Sequence, residues 1–274
     1  MKPTIPQLCP EIPRSRFLIT KLLVLFLMFA FGTIAWADEA KPDEKKEEPK
    51  KSKWESTATA GVTLTRGNSK TFLASIALGT KRTWEHDEAL LGASAGYGES
   101  QTTVNGVKVD NTTDSYVRGF GQYNHLFTPK IYGGLRLTGD HDDIASLAYR
   151  FTAGPMGGYY FIKETNCFLA GEIGPSYVRE KFFHESVDDY IALRLAERGE
   201  YKFKTGAKIW ETVEYLPQVD KFENYLVVAE AGVSAPLSKA LSVSLVAQDS
   251  YKSEPAKGKL KNDFKLIAGL TCNF

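Results

Sequence analysis

The stretch Phe264-Lys265-Leu266-Ile267-Ala268-Gly269-Leu270-Thr271-Cys272-Asn273-Phe274 ends the chain, and its reading decides the fold. Phe264, Leu266, Ala268, Leu270, Cys272 and Phe274 fill every second position. Successive side chains of a strand point to opposite faces, so one face of this segment is apolar to its last residue.

The same period runs backward through the sequence. Leu241, Val243, Leu245 and Ala247 alternate with Ser242, Ser244, Val246 and Gln248. Ala58, Ala60, Val62 and Leu64 alternate with Thr57, Thr59, Gly61, Thr63 and Thr65. No stretch shows a capped period of 3.6. Twelve segments carry the alternation: 54–66, 71–84, 88–99, 113–126, 130–141, 147–162, 167–181, 188–203, 207–217, 222–236, 240–252 and 260–274. They are long for a soluble sandwich, whose strands run to about five or six residues. About nine to eleven tilted residues cross a bilayer core.

The connections support the same reading. Even-numbered gaps are tight, as at Phe127-Thr128-Pro129-Lys130 and Lys163-Glu164-Thr165-Asn166. Longer ones are expected on the other side, from Ser100 to Thr112 around Asn105-Gly106 and near Glu254-Pro255. Short turns on one side and long loops on the other suit an outer-membrane barrel. In hydrocarbon an unpaired backbone group costs several kcal/mol, so the sheet must close. The expected fold is therefore all-β: a closed antiparallel up-and-down transmembrane β-barrel of about 12 strands over residues 54–274. The mean hydropathy of −0.26 is no obstacle, because only alternate residues meet lipid.

Ahead of the barrel, Lys2, Arg14, Arg16 and Lys21 precede an apolar run from Leu22 to Ile34 and then Ala35-Trp36-Ala37. Residues 1–37 read as a cleaved signal peptide. Twelve of the sixteen residues in 38–53 are charged, six of each sign, so this segment is expected to be a disordered tether. With 34 basic and 33 acidic residues, the chain lacks the basic excess of a nucleic-acid binder. The expected location is the outer membrane of a Gram-negative-type bacterium, with membrane lipid as partner.

If one face meets lipid, the other meets the lumen. Parity sends Arg118, Arg136, Arg150, Glu172, Glu180, Arg194, Arg198, Glu200, Glu214, Glu230 and Lys265 inward. The two signs are nearly balanced. In a narrow lumen they can pair across the interior and stiffen the barrel, or leave a narrow hydrated path. Glu197 and Glu211 fall on the lipid side, and a bulge or a register slip is expected there. Cys167 and Cys272 are expected as free, lipid-facing thiols, five strands apart.

Asp140-His141-Asp142-Asp143 is the densest acid/base cluster, and His184 and Asp188 belong to the same expected side. Together they could hold a water for hydrolysis or a cation through oxygen ligands. Adjacent strand residues face opposite ways, which works against a shared site. No cofactor fingerprint, phosphate loop or metal spacing is present in the sequence, and no enzyme is expected.

The alternating C-terminal segment, with Leu266, Leu270 and Phe274, resembles the sorting signal read by the barrel-assembly machinery, which makes that machinery an expected partner. Gly67-Asn68-Ser69, Tyr149-Arg150, Gly157-Gly158-Tyr159, Ala170-Gly171, Gly174-Pro175-Ser176-Tyr177, Arg179-Glu180 and Ser253-Glu254-Pro255 extend the likeness. With these motifs, residues 54–274 resemble the YdiY-like family of salt-induced outer-membrane proteins, domain of unknown function 481. The resemblance implies an outer-membrane barrel with no assigned reaction or ligand. The functional expectation is a structural barrel or narrow passive channel. The alternatives are an outer-membrane hydrolase using the Asp/His cluster and a surface binding or adhesion barrel using the loop from Ser100 to Thr112.

Overall fold

The computed structural model describes residues 53–65, 70–104 and 107–274. The leader, all of the charged segment except Lys53, Gly67-Asn68-Ser69 and Asn105-Gly106 lie outside the described residues. Twelve strands follow in order: β1 (Trp54–Thr65), β2 (Lys70–Thr83), β3 (Asp87–Val104), β4 (Val107–Leu126), β5 (Ile131–Asp142), β6 (Leu147–Lys163), β7 (Cys167–Phe182), β8 (Val187–Lys202), β9 (Lys208–Pro217), β10 (Tyr225–Pro236), β11 (Leu241–Lys252) and β12 (Asn262–Asn273). Each pairs antiparallel with its sequence neighbours, and β12 returns to β1 to close the ring. The seam pairs Thr57 with Asn273 and Ala60 with Leu270. Two backbone hydrogen bonds between Ser56 and Phe274 extend it.

The expected strands are present, and one loop is not. Residues 100–104 and 107–112 stay paired as β3 and β4, with Val104 opposite Val107. This corrects the expected loop from Ser100 to Thr112: the hairpin runs on beyond the apolar band. The longer connections at the same end are 218–224 and 253–261. They are tied by Lys221 Nζ and Glu254 Oε2 at 2.7 Å. This hydrogen bond holds the Lys221 ammonium above the usual lysine range.

The barrel inverts the layering of a soluble protein. Outward positions between its two ends carry Val62, Ile76, Leu78, Leu91, Val117, Leu135, Ile173, Ile191, Val243, Leu245, Leu266 and Leu270, all exposed. A surface of this kind is stable against acyl chains. Aromatic rings bound it at both ends. At the end carrying Trp54 and Phe274, Trp54 meets Trp84, Tyr159 meets Phe161 and Tyr201 meets Phe203, each edge to face. At the far end, Tyr215, Tyr225 and Tyr251 form a row with centroids 5.6 and 5.7 Å apart. Tyr177 belongs to the same far belt and donates to Asp189 at 2.6 Å. From Cys167 to Tyr177 a tilted strand climbs about 25 Å, the height of a membrane barrel's apolar band. Cys167 and Cys272 are free and face outward on β7 and β12.

Strands β6 and β7 come unusually close. A Cβ on Gly154 would lie 2.1 Å from the Pro175 carbonyl oxygen, and one on Gly174 would lie 2.2 Å from that of Pro155. Backbone cannot yield as a side-chain tip can. Gly154→Ala is therefore expected to cost about 1–3 kcal/mol of barrel stability. The check is the denaturant midpoint of the refolded barrel in lipid vesicles, with unchanged stability as the contrary result.

Candidate functional site: the charged lumen

All eleven charged residues assigned inward from the sequence point into the lumen, where they form several knots. In the central one, Glu172 has no exposed side-chain surface. It pairs with Arg194 at 2.9 Å and Arg198 at 2.8 Å. Gln122 Nε2 and Tyr132 Oη donate to the same carboxylate at 2.8 and 2.9 Å. Arg194 also pairs with Glu214 at 2.8 Å, and Arg136 approaches Glu214 at 3.5 Å.

Toward the far end, Glu180 pairs with Arg150 at 2.6 Å and with Lys252 at 3.0 Å, and accepts from Tyr190 at 3.1 Å. Lys265 lies 2.9 Å from Asp114, 3.6 Å from Asp263 and 3.9 Å from Asp142, and sits over the Tyr116 ring. Toward the other end, Glu88 accepts from Tyr160 at 2.6 Å and lies 3.6 Å from Lys163. A bulge between Tyr160 and Ile162 turns Lys163 inward, which simple alternation does not show. Glu230 accepts from Trp210 and Gln248, and Glu200 meets Lys208 at 3.3 Å.

Several contacts cross the interior. Arg136 on β5 reaches Glu214 on β9, Lys252 on β11 reaches Glu180 on β7, and Lys265 on β12 reaches Asp114 on β4. Three strands lie between the members of each pair. Parity in the sequence finds the inward residues, but it missed the partners Glu88, Asp114, Gln122, Tyr132, Tyr160, Tyr190 and Lys252. Tyr132 and Tyr160 had a signal, since they share parity with Gly134 and Gly158 on the inner face.

The inner wall is uneven. Over β11, β12, β1 and β2 it presents Ser242, Ser244, Gly269, Thr271, Thr57, Thr59, Ser75, Ala77 and Gly79. Hydroxyls there bond one another, Thr59 to Thr271 at 2.8 Å and Ser244 to Thr271 at 3.0 Å. Phe120 points inward yet is 38% exposed, and Ala77 is exposed too. Open space therefore remains inside the barrel beside the ion pairs.

Alternation splits the acid/base cluster. Asp140 and Asp142 face inward, 3.9 and 3.4 Å from Arg118. His141 and Asp143 face outward and approach each other at 3.2 Å. The His141 ring bonds the Ala148 carbonyl, leaving it beside Phe183. Asp188 is inward, opposite Glu180 on β7, and His184 sits at a turn with φ of 64°. Among the described residues no group of three His, Cys, Asp or Glu side chains could hold a metal ion.

One expectation is overturned. Strands β8 and β9 pair without a bulge from Leu195–Tyr215 to Lys202–Lys208. Glu197 and Glu211 therefore sit on the outer face because the register puts them there, and no slip or bulge removes them.

A closed ring with an apolar outer band and a neutralised charged interior defines a membrane β-barrel. The chain belongs to the family described as "Protein of unknown function, DUF481", whose model matches residues 58–274. No curated protein matches it in sequence. Among solved structures it is similar to the NanC porin at 7% identity and a TM-score of 0.48, covering 79% of this chain and 98% of that one. It is similar to the KdgM porin at 10% identity and 0.43, covering 80% and 99%. The translocator domain of the autotransporter NalP from Neisseria meningitidis follows at 11% identity and 0.38, covering 95% and 98%.

Proposed function

We propose that this barrel sits in a bacterial outer membrane as a narrow passive channel, and that it catalyses no reaction. Its termini end faces the periplasm, residues 1–37 are an export signal cleaved on the way there, and the charged segment 38–53 leads into β1. The barrel-assembly machinery reads the apolar face of β12 at Leu266 and Leu270, with Phe274 directly after the strand. The observation that carries the channel reading is the uneven lumen. Ion pairs brace one part of the interior, while a wall of small hydroxyl residues leaves Ala77 and Phe120 exposed. The paired charges leave no wall of one sign, so weak ion selectivity and small hydrophilic solutes fit this interior.

A second reading is supported by the contacts that cross the lumen: a purely structural barrel that conducts nothing. Single-channel recording in planar bilayers decides between the two. The channel reading expects discrete steps with weak charge preference, and Ala77→Trp, which fills the open lane, should roughly halve the step size. A silent barrel, or steps unchanged by Ala77→Trp, would contradict it.

A further inference from the structure

The outer face carries a feature that a passive channel does not need. Glu197 on β8 and Glu211 on β9 point away from the lumen and form a diagonal pair across two neighbouring strands. Four residues above Tyr201 along a tilted strand, Glu197 stands about 10 Å inside the aromatic belt, and Glu211 lies two rungs nearer that belt along the β8–β9 ladder. Both therefore lie within the apolar band. Glu211 is only 5% exposed, because Gly199 and Ala231 on either side let it lie flat against the wall. It has no hydrogen-bond or ion-pair partner among the described residues, and the charged group nearest it is Glu197. Intramembrane carboxyls are costly and call for a countercharge.

Beside the pair runs a groove of about 740 Å³, rimmed by Tyr159, Phe161, Leu195 and Tyr215, with Glu197 in its lining. Gly157 and Gly171 also line it. A Cβ on Gly157 would meet nothing within 4 Å. The volume lies in the range of small-molecule sites, about 300–1,000 Å³.

We propose that this face binds one phospholipid through a primary ammonium headgroup, with an acyl chain in the groove. Charge selects the occupant. Two acids without an outward cation beside them match an ammonium that can donate hydrogen bonds to both. Glu197 is opposite Val213, two residues from Tyr215 of the far belt and four from Tyr201 of the near one, so a headgroup that meets the acids is drawn below the belt with local thinning of the bilayer. A second copy of the chain fits less well. A two-fold axis along the bilayer normal keeps every residue at its own depth, so a second copy seated on this face would bring its own Glu197 and Glu211 to the acids and no countercharge. The inference rests on the membrane placement of the barrel and is independent of what the lumen passes.

The test uses the full chain in nanodiscs of phosphatidylcholine doped with either phosphatidylethanolamine or phosphatidylglycerol. Native mass spectrometry counts the lipids that remain on the barrel. The expected result is one retained phosphatidylethanolamine, favoured about tenfold over phosphatidylcholine, and no enrichment of phosphatidylglycerol. The E197Q/E211Q double variant should lose that preference while keeping the heat-dependent gel mobility of a folded barrel. Gly157→Leu, which occupies open space, should lose the retained lipid whatever its headgroup. Equal retention of both lipids by the unmodified chain would overturn the proposal, and so would a preference that survives E197Q/E211Q. A dimer mass that vanishes in E197Q/E211Q would identify a second copy as the occupant and equally overturn it.

Discussion

Replacing Glu172 with Ala is expected to lower the stability of the barrel by about 3–5 kcal/mol, because it leaves buried charges without their partner. Glu172 is the fully buried acceptor for Arg194, Arg198, Gln122 and Tyr132, contributed by β4, β5 and β8. Arg194 keeps Glu214 after the change, but Arg198 has no second carboxylate within salt-bridge distance in the described structure. The sign of a further variant follows. Removing Arg198 together with Glu172 should cost less than removing Glu172 alone, because the stranded cation goes too. Unfolding in denaturant from lipid vesicles measures both. A Glu172→Ala barrel as stable as the original would mean that the lattice does not brace the wall.

The second large effect concerns two adjacent residues. Leu245 faces outward between the belts, and Ser244 beside it faces the lumen, bonded to Thr271. Leu245→Arg is expected to destabilise by about 2–4 kcal/mol, the cost of a cation on the lipid face near the midplane. Ser244→Arg should cost less, since a side chain there, though Ser244 itself is buried, enters a lumen that already holds arginines beside carboxylates. The same refolding measurement checks the pair. Equal costs at the two positions would contradict the assigned faces.

The strand pattern was legible because lipid imposes it. Where a strand crosses the apolar band, outward residues are apolar with few exceptions, and the alternation of Leu241 to Ala247 is the direct trace of that demand. The ends of β3 and β4 lacked the signal for the same reason. Above the far belt the outward residues meet water, so Glu99 and Gln101 carry no apolar period, and the paired hairpin looked like a loop. Parity also identified the inward charges, but not which of them meet. Arg136 and Glu214 are far apart in sequence, with three strands between them in the wall, and only closure of the ring brings them together. Lys163 escaped because one extra residue at a bulge reverses its face. Glu197 and Glu211 broke the pattern visibly. The error lay in assuming that the pattern must be repaired, when the register simply holds two acids against lipid.

The most direct measurement places single cysteines with nitroxide labels from Ile191 to Leu195 along β8, in a barrel whose Cys167 and Cys272 are replaced. Collision with lipid-dissolved oxygen is then compared with collision with a polar paramagnetic reagent. Positions 191, 193 and 195 should favour oxygen and positions 192 and 194 should not, with a strict period of two. Uniform accessibility along the strand, or preference for the polar reagent at 191, 193 and 195, would contradict a barrel whose outer face lies in the membrane.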